Sequence, residues 1–382
     1  MSVAGACDER FARVREVFEQ SFEEGEVGAG VAVTLDGAPV VELWGGFADE
    51  AKTRPWERDT IAYVASTTKG PTAACLHQLA DRGRVDLEAP VARYWPEFAQ
   101  AGKQDVPVHM LLSHRVGLPA LREDLPRGAD CEWETMTRAL AAEEPWWEPG
   151  TQHGYHALTY GYLVGEVVRR VDGRSLGRYW RDEFATPLSL DFQIGLNDAE
   201  LSRCADMIPL PRDSENNPLK KLTKNRDSAL ARAFTNPPNR PEAINSEATR
   251  RAEIPAANGH GTAAAVSRFY GMLARGGELD GVRLLSPEAI ERATREQARG
   301  GDAVLMGLPM RFGLGFMLSW RVVRFGRSKR SFGHPGAGGS IGFADPDARL
   351  GFGYVMNRMQ QGFVGDARGF ALIRAVYDSL KD

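Results

Sequence analysis

Strand-like sequence sits at the two ends of this 382-residue chain, and helix-like sequence fills the middle. Strands must lie side by side to satisfy their backbone groups, so the simplest fold brings the two ends together in one sheet. At the N-terminal end, GVAVTLDGAPVVELWGGFAD (30–49) reads as a hairpin. Its two β-branched runs flank Asp36-Gly37, a pair that tolerates the positive φ angles of a tight turn. From about residue 311, RFGLGFMLSW and RSFGHPGAGGSIGFADPDARLGFGYVMNRM return to strand patterning. A helix is expected over 8–24, where Phe11, Val14, Val17 and Phe18 share a face. Further helices are expected over 66–82, 108–119, 157–173, 261–277 and 366–380, several of them closed by glycine or proline. Residues 205–257 are polar and proline-rich, with NPPNRP inside, and read as a long irregular excursion of the kind that often covers a site. The expected architecture is a mixed α/β (α+β) lobe built from 1–65 and 290–382, a sheet with flanking helices. A mainly helical lobe, 66–289, is inserted into it.

Composition narrows the partners. A net charge of −4 argues against nucleic acid, and the short basic run PLKKLTKNR (218–226) reads as a solvated loop. No run of 18 apolar residues is present, so no spanning helix is expected, and the N-terminus lacks the basic start and apolar core of a signal peptide. Cys7, Cys75, Cys131 and Cys204 are far apart and form no CxxC pair, which fits reduced thiols in a cytoplasm. The seven histidines offer no HExxH pattern, and HGYH (153–156) is weak support for a metal. No cofactor is expected.

Two serines carry nucleophile-like contexts. Ser340 lies in GGSIG (338–342), a literal G-x-S-x-G. That motif belongs to a strand–serine–helix elbow with an acid and then a histidine later in the chain. Here the last histidine, His334, comes before Ser340, and a turn and a strand follow. GGSIG is therefore read as a glycine-rich strand edge that lets a backbone approach a ligand. The other is Ser66, in YVASTTKGPTAACLHQLADRG (63–83), where a strand gives way to a helix and Lys69 follows three residues on. Alone, Ser-x-x-Lys arises about once by chance in a chain this long. Lysine is also disfavoured near the positive end of a helix dipole, which sets Lys69 apart from an ordinary surface charge.

Company gives the motif weight. STTK, LLSHRVGLP, EPGTQHGYHALTYGYLVGEVV (148–168) and FGHPGAGGS (332–340) follow one another along the chain. In that order they resemble the serine β-lactamase and penicillin-binding-protein superfamily, in its class C β-lactamase-like branch with the family VIII carboxylesterases. The resemblance spans roughly residues 10 to 380. It implies an antiparallel sheet flanked by helices, an inserted all-helical lobe, and a site in the cleft between them. It implies that Ser66 is acylated, that Lys69 is its close partner, and that Tyr155 stands for the tyrosine of the Tyr-Ser-Asn motif. It places the Lys-Thr-Gly motif on His334 to Gly336, making His334 and Gly336 substrate-binding. It gives the backbone N–H groups of Ser66 and Ala337 as the oxyanion hole.

The chemistry is coherent without the family. A serine hydroxyl needs an adjacent base, and i, i+3 helix spacing sets the Lys69 amine beside it. An ordinary lysine is protonated at neutral pH, so Lys69 must be shifted by burial or a neighbouring cation, or it must stay charged and hold Tyr155 as a phenolate base. The residues leave that choice open. Two departures from the family's lactamases bear on substrate. Ala157 replaces the motif's Asn, and His334, largely neutral at pH 7, replaces a fixed cation. Both favour small esters without a carboxylate. Trp133, Trp146, Trp147, Phe312 and Trp320 are candidate walls of an apolar acyl pocket. His153 and His156 flank Tyr155, and neither is given a role. The expectation is a short-chain carboxylesterase. A β-lactamase, a D,D-peptidase, an acyltransferase or a non-catalytic binding protein on the same fold is the alternative.

Overall fold

The computed structural model describes residues 3–210, 225–238, 241–360 and 365–380. The hairpin forms as β2 (Gly28–Leu35) and β3 (Ala38–Gly46), with φ of 51° at Asp36 and 88° at Gly37 in the turn. The C-terminal segment forms β12 (Phe332–Pro335), β13 (Ile341–Asp345) and β14 (Leu350–Met356). The two ends meet where β14 pairs antiparallel with β2, setting Tyr354 opposite Val31 and Phe352 opposite Val33. With β1 (Val3–Cys7), β9 (Ala298–Gly301), β10 (Pro309–Phe312) and β11 (Met317–Leu318), the described residues make a nine-stranded antiparallel sheet. Its order is β1-β3-β2-β14-β13-β12-β11-β10-β9.

Both faces of this sheet are covered, which is why β14 is buried along its whole length. Alternation sorts the side chains. Val31, Val33, Phe352 and Phe343 pack with Val14 and Phe18 of α1 (Ala12–Glu23) and with Leu372 and Val376 of the helix Ala367–Ser379. Ala32, Ala344 and Val355 face the other way, toward Val266 and Tyr270 of the helix Ala263–Ala274. Each fully buried side chain of this size stabilises the fold by about 1.5–3 kcal/mol. The Gly-x-Gly spacing of β14 has a steric cause. A Cβ on Gly351 or Gly353 would strike the backbone of Ser267, Gly271 or Ala263, so the helix rests directly on the strand. This helix belongs to the middle of the sequence, yet it lies on the sheet and not with the inserted helices.

Those inserted helices surround α2 (Lys69–Asp81), which is buried from Lys69 to Leu79. The helix Thr159–Asp172 packs beside it and ends at Gly173, whose φ of 92° only glycine adopts easily. A small three-stranded sheet also lies in this middle region, with β4 (Ala62–Tyr63) and β5 (Phe192–Ile194) on either side of β6 (Gly259–Gly261), and a two-stranded ribbon pairs β7 (Glu278–Leu279) with β8 (Val282–Arg283). Strands of two or three residues leave no periodicity to read. Part of the excursion expected at 205–257 is regular, with helices Ala229–Thr235 and Glu247–Arg251 capped by Ser228 and Ser246. Residues 211–224 and 239–240, which hold most of the basic run, lie outside the described residues. Among the described residues no helix is long and apolar enough to cross a membrane. All four cysteines are free.

Candidate active site

Ser66 lies in a short 3-10 turn, Ala65–Thr68, between β4 and α2. The turn is forced: Ala65 has φ of 45°, a strained value for a residue with a Cβ. Side chains hold it there. Thr68 Oγ1 donates to the Ala65 carbonyl at 2.6 Å and accepts from the Gly259 N–H at 2.8 Å. The buried Ser340 hydroxyl donates to the Val64 carbonyl at 2.7 Å and lies 3.1 Å from Thr67 Oγ1. Ser340, the other serine of the sequence reading, is thus a brace beneath Ser66. Pro71 falls in the first turn of α2, where a missing N–H costs little.

Lys69 and Tyr155 converge on the Ser66 hydroxyl. Lys69 Nζ stands 3.2 Å from Ser66 Oγ, and the Tyr155 hydroxyl donates to the same oxygen at 2.8 Å. Lys69 is wholly buried and Tyr155 is 7% exposed. The Lys69 amine also donates to the carbonyls of Ala157 at 2.7 Å and Ala256 at 2.9 Å, and it lies over the Tyr155 ring, 4.9 Å from its centre. The Ala157 side chain supplies nothing, but its backbone holds the lysine in place of a side-chain amide. Asn258 shapes the turn that presents Ala256, bonding Ile254 N, Thr249 O and Ala252 O. Burial pushes the Lys69 pKa well down and the Tyr155 phenol up, so both groups favour their neutral forms.

The turn 336–340 between β12 and β13 lies against Val64, Ala65 and Thr67, the residues flanking Ser66. A Cβ on Gly336 would strike the Val64 carbonyl, so only glycine permits this approach. Ala337 follows it, in a turn closed by Gly336 N–H to Ser340 O at 2.7 Å and Gly339 N–H to Gly336 O at 3.1 Å. Arg368, from the last helix, donates to the Gly338 carbonyl at 3.0 Å. His334 is 1% exposed, with its ring centre 6.0 Å from that of Tyr155. Its Nδ1 lies 2.7 Å from the Pro335 carbonyl, and its Nε2 is buried without a partner among the described residues. Burial first, and then Lys69, push its pKa down to about 3, so it carries no charge at neutral pH.

The aromatic residues divide. Phe312 stacks on Tyr155 with centres 6.5 Å apart, and Trp147 stands edge-on to His156 at 6.1 Å. Trp133 donates instead to Glu166, Trp146 to the Ala120 carbonyl, and Trp320 lies under Arg321. Both ring nitrogens of His156 are engaged, Nε2 by the Leu118 N–H and Nδ1 near the Gly154 carbonyl. His153 packs on Phe312. Two residues around Tyr155 were given no role by the sequence. His114 lies inside LLSHRVGLP with φ of 59°, and Asp302 follows β9 at the start of a mainly apolar turn, AVLMG (303–307).

This constellation can be set beside known proteins. A family model described as Beta-lactamase matches residues 14–375. The chain is 39% identical over 381 residues to Esterase/beta-lactamase LipL of Mycobacterium tuberculosis (strain ATCC 25618 / H37Rv), covering 95% of this chain and 86% of that protein. It is similar to the crystal structure of a family VIII carboxylesterase, with a TM-score of 0.92 and 42% identity over 99% of this chain and 100% of the other. A penicillin-binding protein homologue from Caulobacter crescentus gives a TM-score of 0.90, also at 42% identity, over 99% and 100% of the two chains. With the family model spanning nearly its whole length, and these relatives covered almost end to end, the chain belongs to the Beta-lactamase family.

Proposed function

We propose that the protein is a carboxylesterase that hydrolyses short-chain acyl esters through an acyl-enzyme on Ser66. Ester hydrolysis on the β-lactamase fold is the activity that its esterase-named relative and the family VIII carboxylesterase structure support. The single observation behind the assignment of residues is the Ser66 hydroxyl held between Lys69 at 3.2 Å and Tyr155 at 2.8 Å.

Two carbonyls support the reading of Lys69 as the base. Ala157 O and Ala256 O can only accept, so they take two N–H bonds of the amine. A neutral amine then has its lone pair left for the Ser66 proton. Burial disfavours the charged form, and among the described residues no carboxylate pairs with Lys69 to restore it. Lys69 is therefore the base and Tyr155, kept as a phenol, a proton donor. Ser66 Oγ attacks the ester carbonyl carbon as its proton passes to Lys69 Nζ. The carbonyl π bond opens to an oxyanion facing the Ser66 and Ala337 N–H groups, each such donor contributing about 3 kcal/mol to the transition state. The oxyanion collapses, the ester C–O bond breaks, and the leaving oxygen takes a proton through Tyr155, which Lys69 reprotonates. Water then repeats the sequence on the acyl-enzyme and frees the acid.

His334 and Gly336 line the substrate side of this reading. An uncharged His334 offers no permanent partner to a carboxylate, which favours neutral esters over β-lactams. Small-molecule esters as substrates and a cytoplasmic location, consistent with four free cysteines, complete the proposal. The test is turnover of nitrophenyl acetate and butyrate beside a cephalosporin, with fluorophosphonate labelling to locate the nucleophile. Faster turnover of the cephalosporin overturns the substrate assignment, and a labelled peptide without Ser66 overturns the nucleophile.

A further inference from the structure

Tyr155 lies in a stretch without regular secondary structure, residues 152–156. No ladder or helix fixes its backbone. Yet three successive N–H groups are each taken by another segment. Gly154 N–H donates to the His114 carbonyl at 3.0 Å, Tyr155 N–H to Asp302 Oδ1 at 3.0 Å, and His156 N–H to His114 Nδ1 at 3.2 Å. From these bonds we infer that Asp302, with His114, is a positioning residue that sets the Tyr155 hydroxyl on Ser66. The inference rests on the catalytic reading of Tyr155 given above.

Asp302 is built for this. It is wholly buried, and the same Oδ1 that receives the Tyr155 N–H also accepts from Val304 N at 2.9 Å and Leu305 N at 2.8 Å. The carboxyl thus closes its own turn and clamps the tyrosine segment to it. The Ala303 N–H, donating to the His153 carbonyl at 3.0 Å, adds a second clasp. The next strand, β10, brings Phe312 flat against the Tyr155 ring, so one edge hairpin holds the tyrosine by backbone and by ring. Asp302 Oδ2 is buried and without a partner among the described residues. Burial also raises the carboxyl pKa, toward a neutral group. An acceptor at Oδ1 is what the geometry uses, and a neutral amide can supply it.

His114 works from the opposite side. Its Nδ1 accepts from the His156 N–H, which puts the ring proton on Nε2. Its ring packs on Tyr155, Tyr160 and Phe312, with centres 5.1, 5.2 and 4.8 Å away. Burial holds its pKa well down, so it stays neutral.

The experiment is a double-mutant cycle on nitrophenyl butyrate hydrolysis, using Asp302→Ala, Asp302→Asn and Tyr155→Phe in the full chain, with folding checked by circular dichroism. A displacement of about 1 Å at a catalytic group costs on the order of 10²-fold, so Asp302→Ala should lower kcat by roughly 10- to 100-fold with KM little changed. Asp302→Asn, which keeps the acceptor, should recover kcat to within about threefold of the parent. In the Tyr155→Phe background, Asp302→Ala should cost almost nothing further, because the hydroxyl it places is gone. A structural loss alone would lower the residual rate by the same factor in both backgrounds, and that result overturns the inference. If the alanine variant does not fold, Asp302→Glu, which moves the carboxyl by one methylene, takes its place in the cycle with the same expectation. Full activity in Tyr155→Phe alone would remove the catalytic reading, and the inference with it. A severe loss there with a multiplicative cycle would remove only the inference.

Discussion

The Ser340 hydroxyl donates to the Val64 carbonyl, two residues before Ser66, across 276 positions of sequence. The serine in the G-x-S-x-G string thus supports the serine in the Ser-x-x-Lys string. Ser66→Ala should abolish ester hydrolysis and fluorophosphonate labelling. Ser340→Ala should still be labelled at Ser66 but melt at a lower temperature, since it removes one of the two donors to the buried Val64 carbonyl and leaves only the Thr67 N–H, at a cost of about 0.5–1.5 kcal/mol. Complete loss of labelling in a folded Ser340→Ala protein would mean that the wrong serine was assigned.

Lys69 sets the pH dependence. Burial depresses its pKa in the folded protein, which favours the free base, and that base is lost as pH falls through the depressed value. The acid limb of kcat/KM should follow this group. Between the depressed value and the ordinary lysine pKa of about 10.4, the unfolded chain binds a proton that the folded one does not, so this group's contribution to stability rises with pH. Urea unfolding at several pH values should show a slope that Lys69→Met flattens. An unchanged slope would mean that Lys69 is charged in the fold.

His334 governs substrate choice in this reading. His334→Lys should leave ester hydrolysis reduced but present and raise the rate on a cephalosporin relative to nitrophenyl butyrate. The new ammonium offers a carboxylate the cationic partner that the uncharged histidine does not. If His334 only packs at a strand end, stability drops and the ratio of the two rates does not move.

Local chemistry was legible in the sequence and non-local chemistry was not. Asp36-Gly37 marked the hairpin, Gly173 marked a helix end, and Ser66, Lys69 and Tyr155 stand together in the structure as the motif order implied. Lys69 could be read as a shifted amine or as a charged partner of a phenolate, and only its burial between two carbonyls favours the first. Ala65 gave no sign of its positive φ, because the turn that contains it is held in part by Gly259 and Ser340, far along the chain. Asp302 was invisible for the same reason: an aspartate in a turn reads as solvated until the strands around it close. Of the five aromatic residues considered for an acyl pocket, Phe312 and Trp147 lie beside the tyrosine segment, while Trp133 faces the helical core.

The clasp of Arg368 on the Gly338 carbonyl has a consequence for the growing chain. Ser66, Lys69 and Tyr155 all leave the ribosome while the strand and turn that complete their pocket are still unmade. The helix bearing Arg368 is the final regular element of the described residues. Domains acquire their long-range pairings only after the distant partner is synthesised. A nascent polypeptide halted before residue 332 therefore carries every group of the proton relay and remains catalytically silent. Activity waits until the Arg368 helix has been synthesised and has docked.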